Sequence, residues 1–295
     1  MDSSTHLNQK FIATALLIAT TVLWGSTFII TKTMIQEVPI FLYLSLRYFI
    51  ALIGFIPFLI RIKGLNKRII WMGFFSGILY YLAITFQTYG LVTTSASKAG
   101  FITGLSTIMV PFFTWFFFKE KVINKKIWFA AILSVIGMGF LLLEGIEGVI
   151  IGDVLVLICA VFCALFIIYN DKCVRLVDVY LYTIIQLITL CLLCISSSLI
   201  LNESYNLEHA DLNFWLIMFY MGFMATSLTF LFTNWGQQHQ ESSQTAIIFA
   251  LEPVFAVIFA SFLIGNEVLS WQTWFGCGLI FLALIIVVRN KDVIE

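Results

Sequence analysis

Ile247–Gly265 reads IIFALEPVFAVIFASFLIG, an apolar run interrupted by one carboxylate, Glu252, with Pro253 directly after it. A hydrocarbon core about 30 Å thick is crossed by roughly 20 apolar residues in a helix, so the run is long enough to span a bilayer. A charge at that depth is costly unless it faces a cavity or a partner. Proline removes one helical hydrogen bond and opens the helix locally, which is tolerated where water or a neighbouring helix takes the freed carbonyl. The stretch is expected to be a membrane helix with a break and an acid that needs a function.

The rest of the chain repeats this character. Its 295 residues are 61% hydrophobic and only 11% charged, whereas a soluble domain carries roughly 25% charged residues. Ten apolar runs fall at about 11–33, 40–60, 69–90, 96–118, 127–143, 149–170, 179–201, 214–235, 244–264 and 272–288, joined by short connectors. The first, beginning at Phe11, is longer than a signal-peptide core and lacks a small-x-small cleavage site, so it reads as a retained span. A net charge of zero speaks against nucleic acid as a partner.

The basic residues are placed on one side. With the N-terminus in the cytoplasm, Lys10, Arg61, Lys63, Lys67, Arg68, Lys119, Lys121, Lys125, Lys126, Lys172, Arg175, Arg289 and Lys291 all fall inside, thirteen of the sixteen. The positive-inside rule then puts both termini in the cytoplasm. Of the remaining three, Lys32 and Lys98 lie at outer ends of spans, where long side chains reach the interface. Arg47 lies too deep in the second run for that and is expected to face the interior.

The two halves resemble each other. SASKAGFITGLSTIMVPFF from Ser95 aligns with ESSQTAIIFALEPVFAVIF from Glu241 at an offset of 146 residues, and Trp128 pairs with Trp274 at the same offset. That period divides ten spans into five and five, and an odd number per repeat inserts the second copy upside down. Inverted repeats with a midplane site characterise alternating-access transporters. The expected division is a tail at 1–10, repeats at 11–143 and 149–288, and a tail at 289–295.

LWGSTFIITK (Leu23–Lys32), LRYFIA (Leu46–Ala51), TSASKAGFI (Thr94–Ile102) and LEPVFAVIFASFLIGNEVLS (Leu251–Ser270) together resemble the drug/metabolite transporter superfamily, EamA type. The resemblance covers both halves. It implies an all-α integral membrane protein of ten transmembrane helices as two inverted five-helix repeats, with spans 1–4 and 6–9 lining a central pathway. It also implies export of amino acids or related metabolites from bacteria. The first repeat departs from the second in carrying Ser106-Thr107 where the second has Glu252-Pro253, so a coupling role for Glu252 is not duplicated.

The pathway candidates are Trp24, Gly25, Arg47, Tyr80, Tyr81, Gln87, Lys98, Gln186, Asn234 and Glu252, with Glu252 and Pro253 as a coupling pair. Each has a plainer reading. Trp24-Gly25 is a gate and hinge or a packing pair, and Gln87, Gln186 and Asn234 are ligand contacts or interhelical hydrogen bonds. Tyr80 and Tyr81 place hydroxyls at depth, which want partners. Glu120 and Glu267 read as helix caps, and Glu144, Glu147 and Asp153 as water-facing features. The six cysteines read as small hydrophobes, since no histidine accompanies Cys159/Cys163 or Cys191/Cys194. No metal or cofactor is expected. Expected partners are a small-molecule substrate and the lipid bilayer, with protons as the candidate coupling ion.

Arg47 and Glu252 together suit the two ends of a zwitterion, which favours an amino acid exporter in the cytoplasmic membrane. A proton-coupled exporter of cationic amphiphilic drugs is the main alternative. An intramembrane enzyme reading finds no histidine inside a span and no HExxH or GxSxG placement, and no ATP-binding loop is present.

Overall fold

The computed structural model describes residues 3–118, 125–142, 150–205, 207, 210–264 and 270–288. It is helical throughout, with no strand among the described residues. In chain order the helices are α1 (Ser3–Glu37), α2 (Ile40–Ile53), α3 (Lys67–Thr93), α4 (Ala96–Gly104), α5 (Ser106–Phe118), α6 (Lys125–Leu142), α7 (Ile151–Val174), α8 (Val179–Ile200), α9 (Leu212–Phe219), α10 (Thr229–Gln237), α11 (Ser242–Phe249), α12 (Glu252–Ile264) and α13 (Trp271–Val288). A 3-10 segment, Ile56–Gly64, follows α2, and a π-helical segment, Tyr220–Leu228, joins α9 to α10.

Eight helices among the described residues are long and apolar enough to cross a membrane, nine when α2 and its 3-10 extension count as one crossing. The expected span at 127–143 corresponds to α6. The fold is an all-α membrane bundle of ten helices in two inverted five-helix repeats. Its packing has a matching internal symmetry. α1 packs on α10 and α12, and its counterpart α7 packs on α3 and α5; α6 packs on its own counterpart α13.

Chain breaks follow the same symmetry. α4 gives way to α5 at Leu105, and α11 to α12 at Ala250-Leu251, so the fourth and ninth spans break at positions 146 residues apart. At both breaks the winding tightens, with Leu105 N–H donating to Ile102 and Leu251 N–H to Ile248. Pro253 lacks the N–H that would take the Phe249 carbonyl, which accounts for the second break. The first has no proline at the equivalent position. There the Thr107 hydroxyl donates to the Ala246 carbonyl at 3.1 Å, tying the two broken spans together.

The second span is not one straight helix over 40–60. After Ile53 the chain turns by 72° into the 3-10 segment. Pro57 opens that segment without an N–H to donate, and Ser227 from the eighth span donates its hydroxyl to the Ala51 carbonyl near the bend. Gly54 sits where a Cβ would meet Ser227 Oγ at 2.6 Å, so the close approach requires glycine.

Hydrogen bonds separate the bundle into two ends. At one end, Gln240 bonds Thr14 at 2.8 Å, Arg175 bonds the Gln240 carbonyl at 2.9 Å, and Arg61 pairs with Asp178 at 3.0 Å. At the far end, Lys98 pairs with Asp153 at 2.7 Å and Lys32 donates to the Thr94 carbonyl at 2.6 Å. Asp153 is only 5% exposed, and it also accepts from Thr94 Oγ1 and from the Ile150 N–H. It is an internal tie between α4 and α7 rather than a water-facing feature, because the ion pair and two hydrogen bonds offset its desolvation. Glu203 accepts from the Phe41 and Leu42 N–H groups and so caps α2 from across the bundle, where Pro39 offers no side-chain cap. Glu120, Glu144, Glu147 and Glu267 lie outside the described residues.

Candidate functional site

Within the bundle, Trp24 and Thr27 of α1, Arg47 of α2, Tyr80, Ala83, Ile84 and Gln87 of α3, Thr103 of α4, Cys159 and Cys163 of α7 and Glu252 of α12 surround a small cavity of about 40 Å³. A second lobe of about 30 Å³ shares Trp24, Tyr80, Thr103, Cys163 and Glu252, and is closed by Phe166, Ile167, Phe249, Gly104 and Ser106. The first lobe holds the polar groups and the second the aromatic wall. Glu252 stands on the wall common to both, at the first turn of α12 where the ninth span is broken.

Each polar group reaches the cavity for a local reason. Arg47 is 2% exposed, and its Nε donates to the Thr226 hydroxyl at 2.8 Å. The Trp24 indole donates to Thr229 Oγ1 at 3.0 Å, with its ring 5.1 Å from Phe249 and 6.4 Å from Tyr80. Tyr80 is held edge-on by Phe166 and Phe230 at 5.0 and 4.8 Å. Gln87 donates to Thr103 Oγ1 at 3.2 Å. No ion pair joins Arg47 to Glu252 among the described residues, so a cation and an acid face one cavity without neutralising each other directly.

The other candidates lie elsewhere. Gly25 abuts α12, where a Cβ would come within 2.6 Å of Phe255 Cβ, so it serves close packing. Tyr81 points away from Tyr80, as adjacent helical residues must; it bonds Ser197 and stacks on Phe41. Lys98 is held in its ion pair at the far end. Pro253 follows Glu252 and is buried.

Gln186 and Asn234 belong to a separate amide cluster toward the Arg175–Gln240 end. Asn234 donates to Gln186 Oε1 and Thr183 Oγ1, both at 2.7 Å, and Gln186 donates to Ser76 and to Asn170 Oδ1 at 2.8 and 2.9 Å. Asn170 donates to Asn234 and Gln237 at 2.7 Å and accepts from the Tyr182 hydroxyl at 2.9 Å. Asn170, Gln186, Asn234 and Gln237 are all fully buried. Each lost partner in such a cluster would leave a buried polar group unsatisfied, at about 1–3 kcal/mol. This cluster therefore locks α3, α7, α8 and α10 together below the cavity.

Thr226, Thr103, Asn170 and Gln237 were not singled out by the sequence reading. Asn170 and Gln237 carry a signal, an amide at the end of an apolar run; a threonine in a membrane helix carries almost none. Cys159 and Cys163 have their sulfurs 3.7 Å apart on one face of α7 and are free thiols, as are the other four cysteines.

Residues 11–143 and 150–289 each match the EamA-like transporter family. The chain belongs to that family. An uncharacterized transporter of Archaeoglobus fulgidus is 33% identical over 265 residues, covering 90% of this chain and 82% of its own. A shorter match, 26% identical over 121 residues, is to the uncharacterized transporter YetK of Bacillus subtilis and covers 39% of this chain and 36% of that one. A solved crystal structure overlays with a TM-score of 0.76 at 17% identity, covering 95% of this chain and 98% of its own, which shows the shared fold. This EamA-like protein is thus a multi-pass membrane transporter, which its family and relatives indicate in preference to an enzyme.

Proposed function

We propose that this transporter is a secondary, alternating-access exporter of small zwitterionic metabolites, amino acids foremost, in the cytoplasmic membrane of a bacterium. The observation that carries this reading is the pair Arg47 and Glu252, one from each repeat, facing one cavity without an ion pair between them. A guanidinium suits a carboxylate bidentately, and a carboxylate suits an ammonium. A bound zwitterion would supply each with its counter-charge. The thirteen basic residues expected on one side support an orientation with both termini in the cytoplasm.

The aromatic lobe around Glu252, with Trp24, Tyr80, Phe166 and Phe249, favours a second reading, an exporter of cationic amphiphiles. The Arg47 charge in the adjoining lobe weighs against it. The two readings separate in purified protein reconstituted into liposomes and assayed by counterflow. The panel is radiolabelled L-amino acids, the amines and carboxylic acids derived from them, and tetraphenylphosphonium. The proposal expects saturable exchange of at least one amino acid, with its amine and its deaminated acid at least about tenfold weaker, the worth of one charge-assisted contact. Exchange of tetraphenylphosphonium without that of any amino acid would overturn it.

A further inference from the structure

We infer that Thr226 is a positioning residue that aims the Arg47 guanidinium into the cavity, and that the π-helical winding of the eighth span exists to place it there. This rests on the zwitterion reading for its functional consequence, though the positioning itself stands on geometry alone.

The winding over Tyr220–Leu228 is π-helical, a conformation that is rare and concentrated at functional sites. Within it, the Thr226 hydroxyl donates to the Met221 carbonyl five residues back at 2.7 Å, which fixes its proton in its own helix. Its lone pair is left to accept from Arg47 Nε at 2.8 Å. Both groups are almost fully buried, at 1% and 2% exposure, so no water competes for the bond. Neighbouring residues extend the same grip. Ser227 donates to the Ala51 carbonyl one turn further along α2. Side chains next to each other in an α-helix diverge by about 100°. The wider turn reduces that divergence, letting Thr226 and Ser227 both meet α2.

The consequence concerns which nitrogens remain. Arginine presents its donors in a rigid planar fork. With Nε committed to Thr226, the plane of the fork is set, and the terminal amino groups are the ones that can meet a ligand in the cavity Arg47 lines. Tyr43 also stands within hydrogen-bonding reach of the guanidinium, so without the threonine hydroxyl the group keeps its charge and that contact but loses the bond that fixes Nε.

Two measurements test this. In ¹⁵N-labelled, detergent-solubilised protein, the Arg47 Nε–H resonance, assigned by its loss in Arg47→Lys, is expected to exchange slowly with water. It should persist in Thr226→Ser and exchange rapidly in Thr226→Val. In counterflow with an amino acid that the wild type exchanges, Thr226→Val is expected to raise KM about three- to tenfold, as for one oriented hydrogen bond, with the maximal rate within about twofold. Thr226→Ser should restore the wild-type KM, and exchange of the corresponding amine should not change. A slowly exchanging Nε–H that survives in Thr226→Val, or the lack of one in the wild type, would overturn the positioning role. An unchanged KM in Thr226→Val would overturn it as well. A protected, Thr226-dependent resonance in a protein that exchanges no amino acid would retain the positioning and sink only the zwitterion reading.

Discussion

Arg47→Gln is expected to raise the KM for an exchanged amino acid about ten- to a hundredfold while leaving exchange of the corresponding amine near its wild-type level. A hydrogen bond to a charged group contributes about 1.5–3 kcal/mol, and each 1.4 kcal/mol is tenfold. Arg47 supplies the cation in a cavity where water has little access, so the loss should lie toward the upper part of that range. Glutamine retains an amide for Thr226 but has no charge and no fork. Arg47→Lys keeps the charge and loses both Nε and the planar geometry, and is expected to fall between the two. The amine serves as the internal control, because a variant that merely packs badly would impair both ligands together. Equal losses for the amino acid and its amine would show that Arg47 acts through the fold and not through a carboxylate.

Glu252→Gln is expected to abolish accumulation driven by a pH gradient while retaining exchange at equilibrium, with the KM for the amino acid raised about tenfold by loss of the ammonium contact. The residue opens α12 at the break in the ninth span, on the wall shared by both lobes. No hydrogen bond or ion pair from the described residues holds its carboxylate, so its protonation state is free to follow the conformation and the ligand around it. Glutamine copies the protonated acid in shape and cannot release a proton. A carrier that moves substrate against a gradient by binding a proton in one conformation and releasing it in the other would then be uncoupled, yet still able to swap substrate across the membrane. Unchanged pH-driven accumulation in reconstituted Glu252→Gln would end the coupling role and leave the carboxylate as a ligand or packing group. Equilibrium exchange with an unchanged KM would remove the ammonium contact from Glu252 and leave it a coupling group alone.

The architecture was legible because a membrane reduces folding to a question of length, polarity and order. Apolar runs, one-sided cations and a 146-residue offset carry the span count and the inversion. Even the break in the ninth span could be read from Pro253. The matching break at Leu105 could not, since Ser106-Thr107 offers no such cue. The bend after Ile53 depends on Ser227 reaching Ala51 from another span, a contact between residues 176 positions apart.

Depth was likewise readable for the cavity, but direction was not. Trp24, Arg47, Tyr80, Gln87 and Glu252 meet around one space, whereas Tyr81, Gln186 and Asn234, of the same residue types and comparable depth, serve packing contacts elsewhere. Helices in a bundle are apolar toward lipid and toward each other, so periodicity does not say which face turns inward. Tyr80 and Tyr81 are the clearest instance, neighbours in sequence with hydroxyls on different faces. Threonines that aim other side chains leave no trace at all in composition, and Thr226 emerges only once α2 and the π-helical segment lie together.

The most direct measurement of the central idea is a cryo-electron microscopy structure of the reconstituted protein with an exchanged amino acid bound. The ligand is expected between the two repeats, its carboxylate within hydrogen-bonding distance of the terminal nitrogens of Arg47 and its ammonium at Glu252. A ligand seated away from both residues, or one with its ammonium against the Arg47 side, would contradict the assignment of this cavity as a zwitterion site.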